Sequence, residues 1–244
     1  MRAFLKKINL FVELVTKILI YVSKLRFSLL RSPQSLVFLE MPIVKYSLHI
    51  LFLFQLLFMS SCKKDLSPAQ YVSWVKAPEN GLVQTKQLGE FTFTVMHKPA
   101  AYMALQAIGG EQDANKSRFD EELKAAGSML YFTFRVKHAQ AQDAFMAGME
   151  NEQQYGLRIG YFMGDAQQDF SLVNGTDTLP CTMYHYERDY GISKEESISL
   201  GFDPKNKPIK NLQLIYNDQQ LGTGPVKVAF SEELLHSLPN PEYK

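Results

Sequence analysis

The nine residues Met129-Leu-Tyr-Phe-Thr-Phe-Arg-Val-Lys137 alternate Leu130, Phe132, Phe134 and Val136 with polar or amphipathic neighbours. That period of two lets a strand bury one face, and the length of the run predicts a central strand. From Asp169 onward, turn signals recur at short intervals. They divide the chain into a strand to Val173, a turn at Asn174-Gly175, and strands Thr178 to Glu187, Ser197 to Phe202, Asn211 to Tyr216 and Val226 to Phe230. Short strands at that spacing predict an antiparallel sandwich or barrel.

Helical signals lie mostly ahead of this region. Ser67 is placed to cap a helix that has Pro68 at its first position and Tyr71, Trp74 and Val75 at helical spacing. A hairpin over 83–97 follows, with Phe91, Phe93 and Val95 on one face of its second limb. Pro99 ends that strand and starts a helix from Ala100 to Ile108, and a second helix over Ser117 to Ala126 stops at Gly127. Residues 141–164 predict helix with a break, because glycines at 148, 156, 160 and 164 weaken a continuous one. Ser231-Glu-Glu-Leu-Leu-His236 predicts a terminal helical turn. The expected fold class is α+β: mainly an antiparallel β-sandwich with a few helices packed on it.

The N-terminal quarter is a different kind of sequence. Residues 1–61 hold 8 Lys and Arg against 2 acidic residues, leaving 18 against 23 from Cys62 onward and a body of net charge −5. A mildly acidic body lacks the basic stripe that phosphate backbones require, so no nucleic-acid partner is expected. Within residues 41–61, Lys45 gives a basic start, and the run Ile50 to Met59 is apolar but for Gln55. Such a run is shorter than the roughly 20 residues that span a bilayer, which predicts a cleaved signal peptide.

Met59-Ser60-Ser61-Cys62 resembles the lipobox of bacterial lipoproteins, with Met where Leu is commoner. The resemblance implies acylation of Cys62, cleavage before it and a membrane held through that lipid; two or three acyl chains suffice for stable anchoring where one does not. Lys63 after the cysteine, in place of Asp, implies sorting to the outer membrane of a Gram-negative envelope, and Lys63-Lys64-Asp65 resembles a surface-export tag. Since Met41 opens a complete signal peptide, residues 1–40 are expected to be a mis-assigned upstream extension; the alternative is a basic amphipathic surface helix. Residues 62–244 then form one β-rich domain, large enough to build a core without disulfides.

Chemistry is hard to find in that domain. Only Cys62 and Cys181 occur; with Cys62 taken by lipid, Cys181 has no disulfide partner and reads as a small buried apolar residue. Glycine-rich phosphate loops, nucleophile elbows, paired-cysteine motifs and His-Glu-x-x-His helices are missing. In Cys181-Thr-Met-Tyr-His-Tyr-Glu-Arg-Asp189, a strand would put Cys181, Met183, His185 and Glu187 on one face and Tyr184 and Tyr186 on the other. His97, His138 and His236 read as solvent-facing or strand-end residues. Asp165, Asp169, Glu187 and Asp189 offer carboxylates for glycoside hydrolysis only if folding pairs them. Trp74 and Tyr71, Tyr102, Tyr155, Tyr161, Tyr184, Tyr186 and Tyr190 are candidates to line a groove or fill the core.

Around Leu200 to Tyr216, the order strand, Phe-Asp-Pro-Lys loop, strand resembles the late strands of immunoglobulin-like sandwiches in other bacterial lipoproteins. It implies that fold and no site. The functional expectation is a noncatalytic envelope lipoprotein with no cofactor or metal, which binds an envelope protein partner or helps assemble a complex. An envelope hydrolase and a carbohydrate or small-ligand module are the alternatives. A deep pocket of ionisable groups would favour the hydrolase, an aromatic platform the ligand module, and an apolar strand edge the assembly role.

Overall fold

Among the described residues of the computed structural model, 66–109, 116–188 and 193–242, nine strands form two antiparallel sheets. The strands are β1 Val83–Leu88, β2 Phe91–Lys98, β3 Leu130–His138, β4 Phe170–Asn174, β5 Asp177–Pro180, β6 Met183–Glu187, β7 Glu195–Phe202, β8 Leu212–Asn217 and β9 Pro225–Phe230. One sheet runs β1-β2-β3-β7-β6 and the other β5-β4-β8-β9. If β2 to β9 are lettered A, B, C, C′, D, E, F and G, the sheets read ABED and C′CFG, with β1 added at one edge. That is the strand order of an immunoglobulin-like sandwich. The chain is therefore α+β, with helices α1 Pro68–Lys76, α2 Ala100–Ala107, α3 Lys116–Ala126, α4 Glu152–Phe162 and α5 Glu232–His236 set on the sandwich.

The alternating run of β3 lies between β2 and β7, and it buries Phe132, Phe134 and Val136 in the sandwich interior. Antibody domains pin strand B to strand F with a disulfide packed on a Trp of strand C. Here the same three strands supply aromatic rings: Phe134 of β3 lies 5.1 Å from both Phe170 of β4 and Tyr216 of β8, which are 4.8 Å apart.

The expected strand from Thr178 to Glu187 is in fact two strands in different sheets. Pro180 has no N–H to extend the ladder, so the chain leaves β4 there and crosses the sandwich. The Thr182 N–H then donates to the Gly201 carbonyl at 2.9 Å and opens the pairing of β6 with β7. Cys181 lies in the crossover with its side chain in the core, so it does not share a face with Met183, His185 and Glu187.

A second apolar cluster joins α1 and α2 to Leu82, Met96 and Phe119, on the side of β2 away from the sandwich interior. Ser67 caps α1 in a reciprocal capping box with Gln70. Strand register defines two ends of the molecule. The near end holds Leu66, α1, α2, α5 and the start of β8; the far end holds the β3–β4 connection with α4 and the β8–β9 loop. Leu66 bridges to Pro241 at the near end: its N–H donates to the Asn240 carbonyl at 3.3 Å, and the Glu242 N–H returns a bond to the Leu66 carbonyl at 2.8 Å.

Candidate functional site

The outer face of the five-stranded sheet gathers the most charge. Cross-strand pairing places Arg135, Ser197 and Glu187 in one row and Thr133, Ser199 and His185 in the next. Arg135, His185, Glu187, Arg188 and Glu195 line an open cleft of about 530 Å³. Arg135 reaches Glu195 at 3.5 Å, and Ser199 donates to the Glu187 carboxylate at 2.8 Å. The Ser199 hydroxyl is thereby engaged by a carboxylate, a weaker general base than the imidazole of a serine triad. Lys98 adds a third cation near Arg135 and Glu187; burial lowers its pKa first, with Glu187 opposing that shift and Arg135 adding to it. The cleft is thus a mixed-charge surface in which Ser199 meets a carboxylate and not an imidazole.

Cys181 and His185 do not form a pair. The Cys181 thiol donates to the Met183 carbonyl at 3.1 Å, and burial pushes its pKa up to about 11, so it is a protonated core residue. His97 stands at a strand end as expected, but it is buried, not solvent-facing. It is 5% exposed, with its ring 4.9 Å from Phe132 and 6.0 Å from Phe230, and burial lowers its pKa to about 4. Alternation along β2 places it on the same face as Phe93 and Val95, which are core residues. His138 ends β3 and accepts the Gln140 and Ala141 N–H groups at Nδ1, at 3.2 and 3.0 Å. His236 lies exposed on α5. No group of three His, Cys, Asp or Glu among the described residues is placed to hold a metal.

The tyrosines and carboxylates mostly meet each other. Tyr155 donates to Asp143 at 2.5 Å, Tyr186 to Glu196 at 2.5 Å, Tyr216 to Asp218 at 3.1 Å, and Tyr161 to Asp169. Tyr184 donates to the Phe162 carbonyl at 2.6 Å. Burial and the Asp143 bond raise the Tyr155 phenol to about 12. Asp218 also accepts the N–H groups of Gln220, Leu221 and Thr223; these bonds outweigh the upward push of burial and hold its pKa below the ordinary range. Nothing in the sequence distinguished these phenol–carboxylate pairs, because every pair except Tyr216 with Asp218 joins different elements.

Arg158 locks this end. Its guanidinium donates to the Phe145, Ala147 and Gln220 carbonyls at 2.9, 2.8 and 2.8 Å, tying α4 both to the 3-10 turn Ala144–Met146 and to the β8–β9 loop. Phe145 stacks on Phe162 at 3.8 Å beneath. Outside this lock, the exposed large hydrophobics of the described residues are Leu157 (71%), Met163 (64%) and Met146 (49%). Gly156 and Gly160 lie four residues apart on the exposed side of α4, Gly164 follows just beyond its end, and a Cβ at any of them would meet no atom within 4 Å. Glycine within a helix costs about 1 kcal/mol relative to Ala, and nothing inside the fold requires these residues to be small.

At the near end, Leu66, Trp74, Ala77 and Asn80 line a shallow groove of about 490 Å³. Tyr71 and Tyr102 point into the core and do not extend Trp74 into an aromatic platform. Of the remaining candidates, Asp165 is exposed. Met59, Ser60, Ser61, Cys62, Asp189 and Tyr190 lie outside the described residues, as do the expected boundaries at 40 and 61. No described helix is long and apolar enough to cross a membrane.

No protein-family model matches the sequence, and no curated protein is similar to it. A DUF4426 family protein from Pseudomonas aeruginosa PAO1, known from a crystal structure, is similar over 67% of this chain and 98% of its own. Its identity is 9% and its TM-score 0.29, a likeness too slight to bear on fold or function.

Proposed function

We propose that this chain is an envelope lipoprotein, acylated at Cys62, held to the outer membrane by that lipid, and serving as a noncatalytic module that binds a protein partner. The address rests on the basic start, the apolar run and Met59-Ser60-Ser61-Cys62. Three residues separate Cys62 from Leu66, a reach of about 14 Å at full extension, so a lipid there would hold the near end toward the bilayer.

One observation carries the binding role: the far-end phenols of Tyr155, Tyr161 and Tyr216 are each bonded to a carboxylate of the fold, while the apolar Leu157 and Met163 are left in water. Catalysis needs ionisable groups free to meet a substrate; docking needs apolar surface within a rigid frame. Three of the four sheet edges are poor docking rails. β1 carries Lys86, β5 has four residues and ends in Pro180, and β9 begins with Pro225 and carries Lys227.

The address is tested by radiolabelled palmitate incorporation and detergent-phase partition of the full chain and of Cys62→Ser. Label and partition lost in the variant support it; a variant that still matures and partitions with detergent refutes it. The small-ligand reading has the Trp74 groove in its favour, and saturable binding of a glycan that Trp74→Ala abolishes would put it first.

A further inference from the structure

We infer that the exposed face of α4 is a docking surface for a basic amphipathic helix of a partner protein. The inference rests on the partner-binding reading above but not on the lipid.

Three independent features meet there. Leu157 on α4 and Met163 at its C-cap project into water, with Met146 on the turn that Arg158 ties to the helix. Methionine is flexible and polarizable and suits a surface that must fit a partner's side chains. Gly156 and Gly160 leave the helix backbone bare, with room on the outside only; a second helix could use that room to approach closely.

Charge selects the occupant. Residues 139–169 and 217–224 together hold six acidic residues against the single base Arg158, a net −5 that equals the charge of the whole body from Cys62 on. Arg158 is buried on backbone carbonyls, whereas Glu150, Glu152 and Asp165 are exposed. The other bases near this end are Lys137, Arg188 and Lys194, of the five-stranded sheet and its β6–β7 connection, and Lys227 on the edge strand β9. A second copy of this chain would bring like charge against like, and an anionic lipid surface would be repelled in the same way. A helix with an apolar stripe and flanking lysines or arginines satisfies both the methionines and the acids.

The test titrates the detergent-solubilised full chain with a synthetic leucine–lysine peptide patterned i, i+3, i+4, i+7. A shuffled peptide of the same composition serves as control. Binding of the patterned peptide only, weakened by salt and lowered about tenfold or more by Leu157→Glu, is the expected result. Gly160→Ala separates docking from folding: it should raise the melting temperature while weakening the peptide. Equal binding of both peptides, or no effect of Leu157→Glu, overturns the proposal. So does a dimer in sedimentation, or adsorption to phosphatidylglycerol vesicles, that Leu157→Glu removes. Because acylation is read separately at Cys62→Ser, failure of the address leaves this outcome untouched, and the reverse holds too.

Discussion

At the near end of the sandwich, Tyr71, Val75, Leu82 and Leu105 are buried against one another in an apolar cluster; at the far end, phenols are buried against carboxylates and one guanidinium spans three carbonyls. The first closure depends on area and volume, so many side chains of similar size would serve. The second depends on direction. Each N–H or O–H must point at its own acceptor, and a lost partner leaves a polar atom stranded away from water. A tolerant closure suits the end where the chain comes in. A directional one holds the exposed face of α4 in a fixed orientation.

The contrast breaks most severely at the apolar end. Leu105→Ala removes a side chain that is 1% exposed and is expected to cost about 2–5 kcal/mol in urea unfolding, with the transition still cooperative.

The near end also holds a buried imidazole. His97 has a folded pKa of about 4, below the ordinary 6.5. As pH falls, the unfolded chain takes up this proton before the folded one does. The stability contribution is whole above about pH 6.5 and is lost as pH falls toward 4, about 3 kcal/mol in all. His97→Phe should flatten urea midpoints over that window; a wild-type slope in the variant would remove His97 from the account.

Arg158→Met keeps the apolar stem and removes the bonds to Phe145, Ala147 and Gln220, at an expected cost of about 2 kcal/mol. Hydrogen exchange should quicken in 144–147 and 217–224 and remain slow in β2 and β3, since the loss is local to the far end. At the small end of the scale, Leu157→Glu should move the unfolding midpoint by no more than about 0.5 kcal/mol, because the side chain already stands in water. A larger loss would mean that Leu157 packs inside the fold.

Elements whose signals are local were legible in the sequence: the β3 alternation, Ser67 with Pro68 at α1, the stop at Gly127, Ser231 before α5, and the break before α4. What escaped depends on which elements meet. Thr178 to Glu187 is continuously strand-like, and only the folded sandwich decides that Pro180 releases the chain to the other sheet. Cys181 follows the parity of an extended strand on paper, but the crossover turns it inward. Arg158 carried no signal in the sequence, since its acceptors lie 11 to 62 residues away. The glycines of α4 were visible as weak helix formers, but their shared outward face was not.

The bridge between Leu66 and Pro241 has a consequence for connectivity. Because these residues run side by side at the near end, a short linker could join them, and the chain could be reopened at the exposed Lys205-Asn206 turn, where both residues have positive φ. A circularly permuted protein made this way would keep every sheet pairing. The order in which the strands are synthesised would then be separable from the architecture they build.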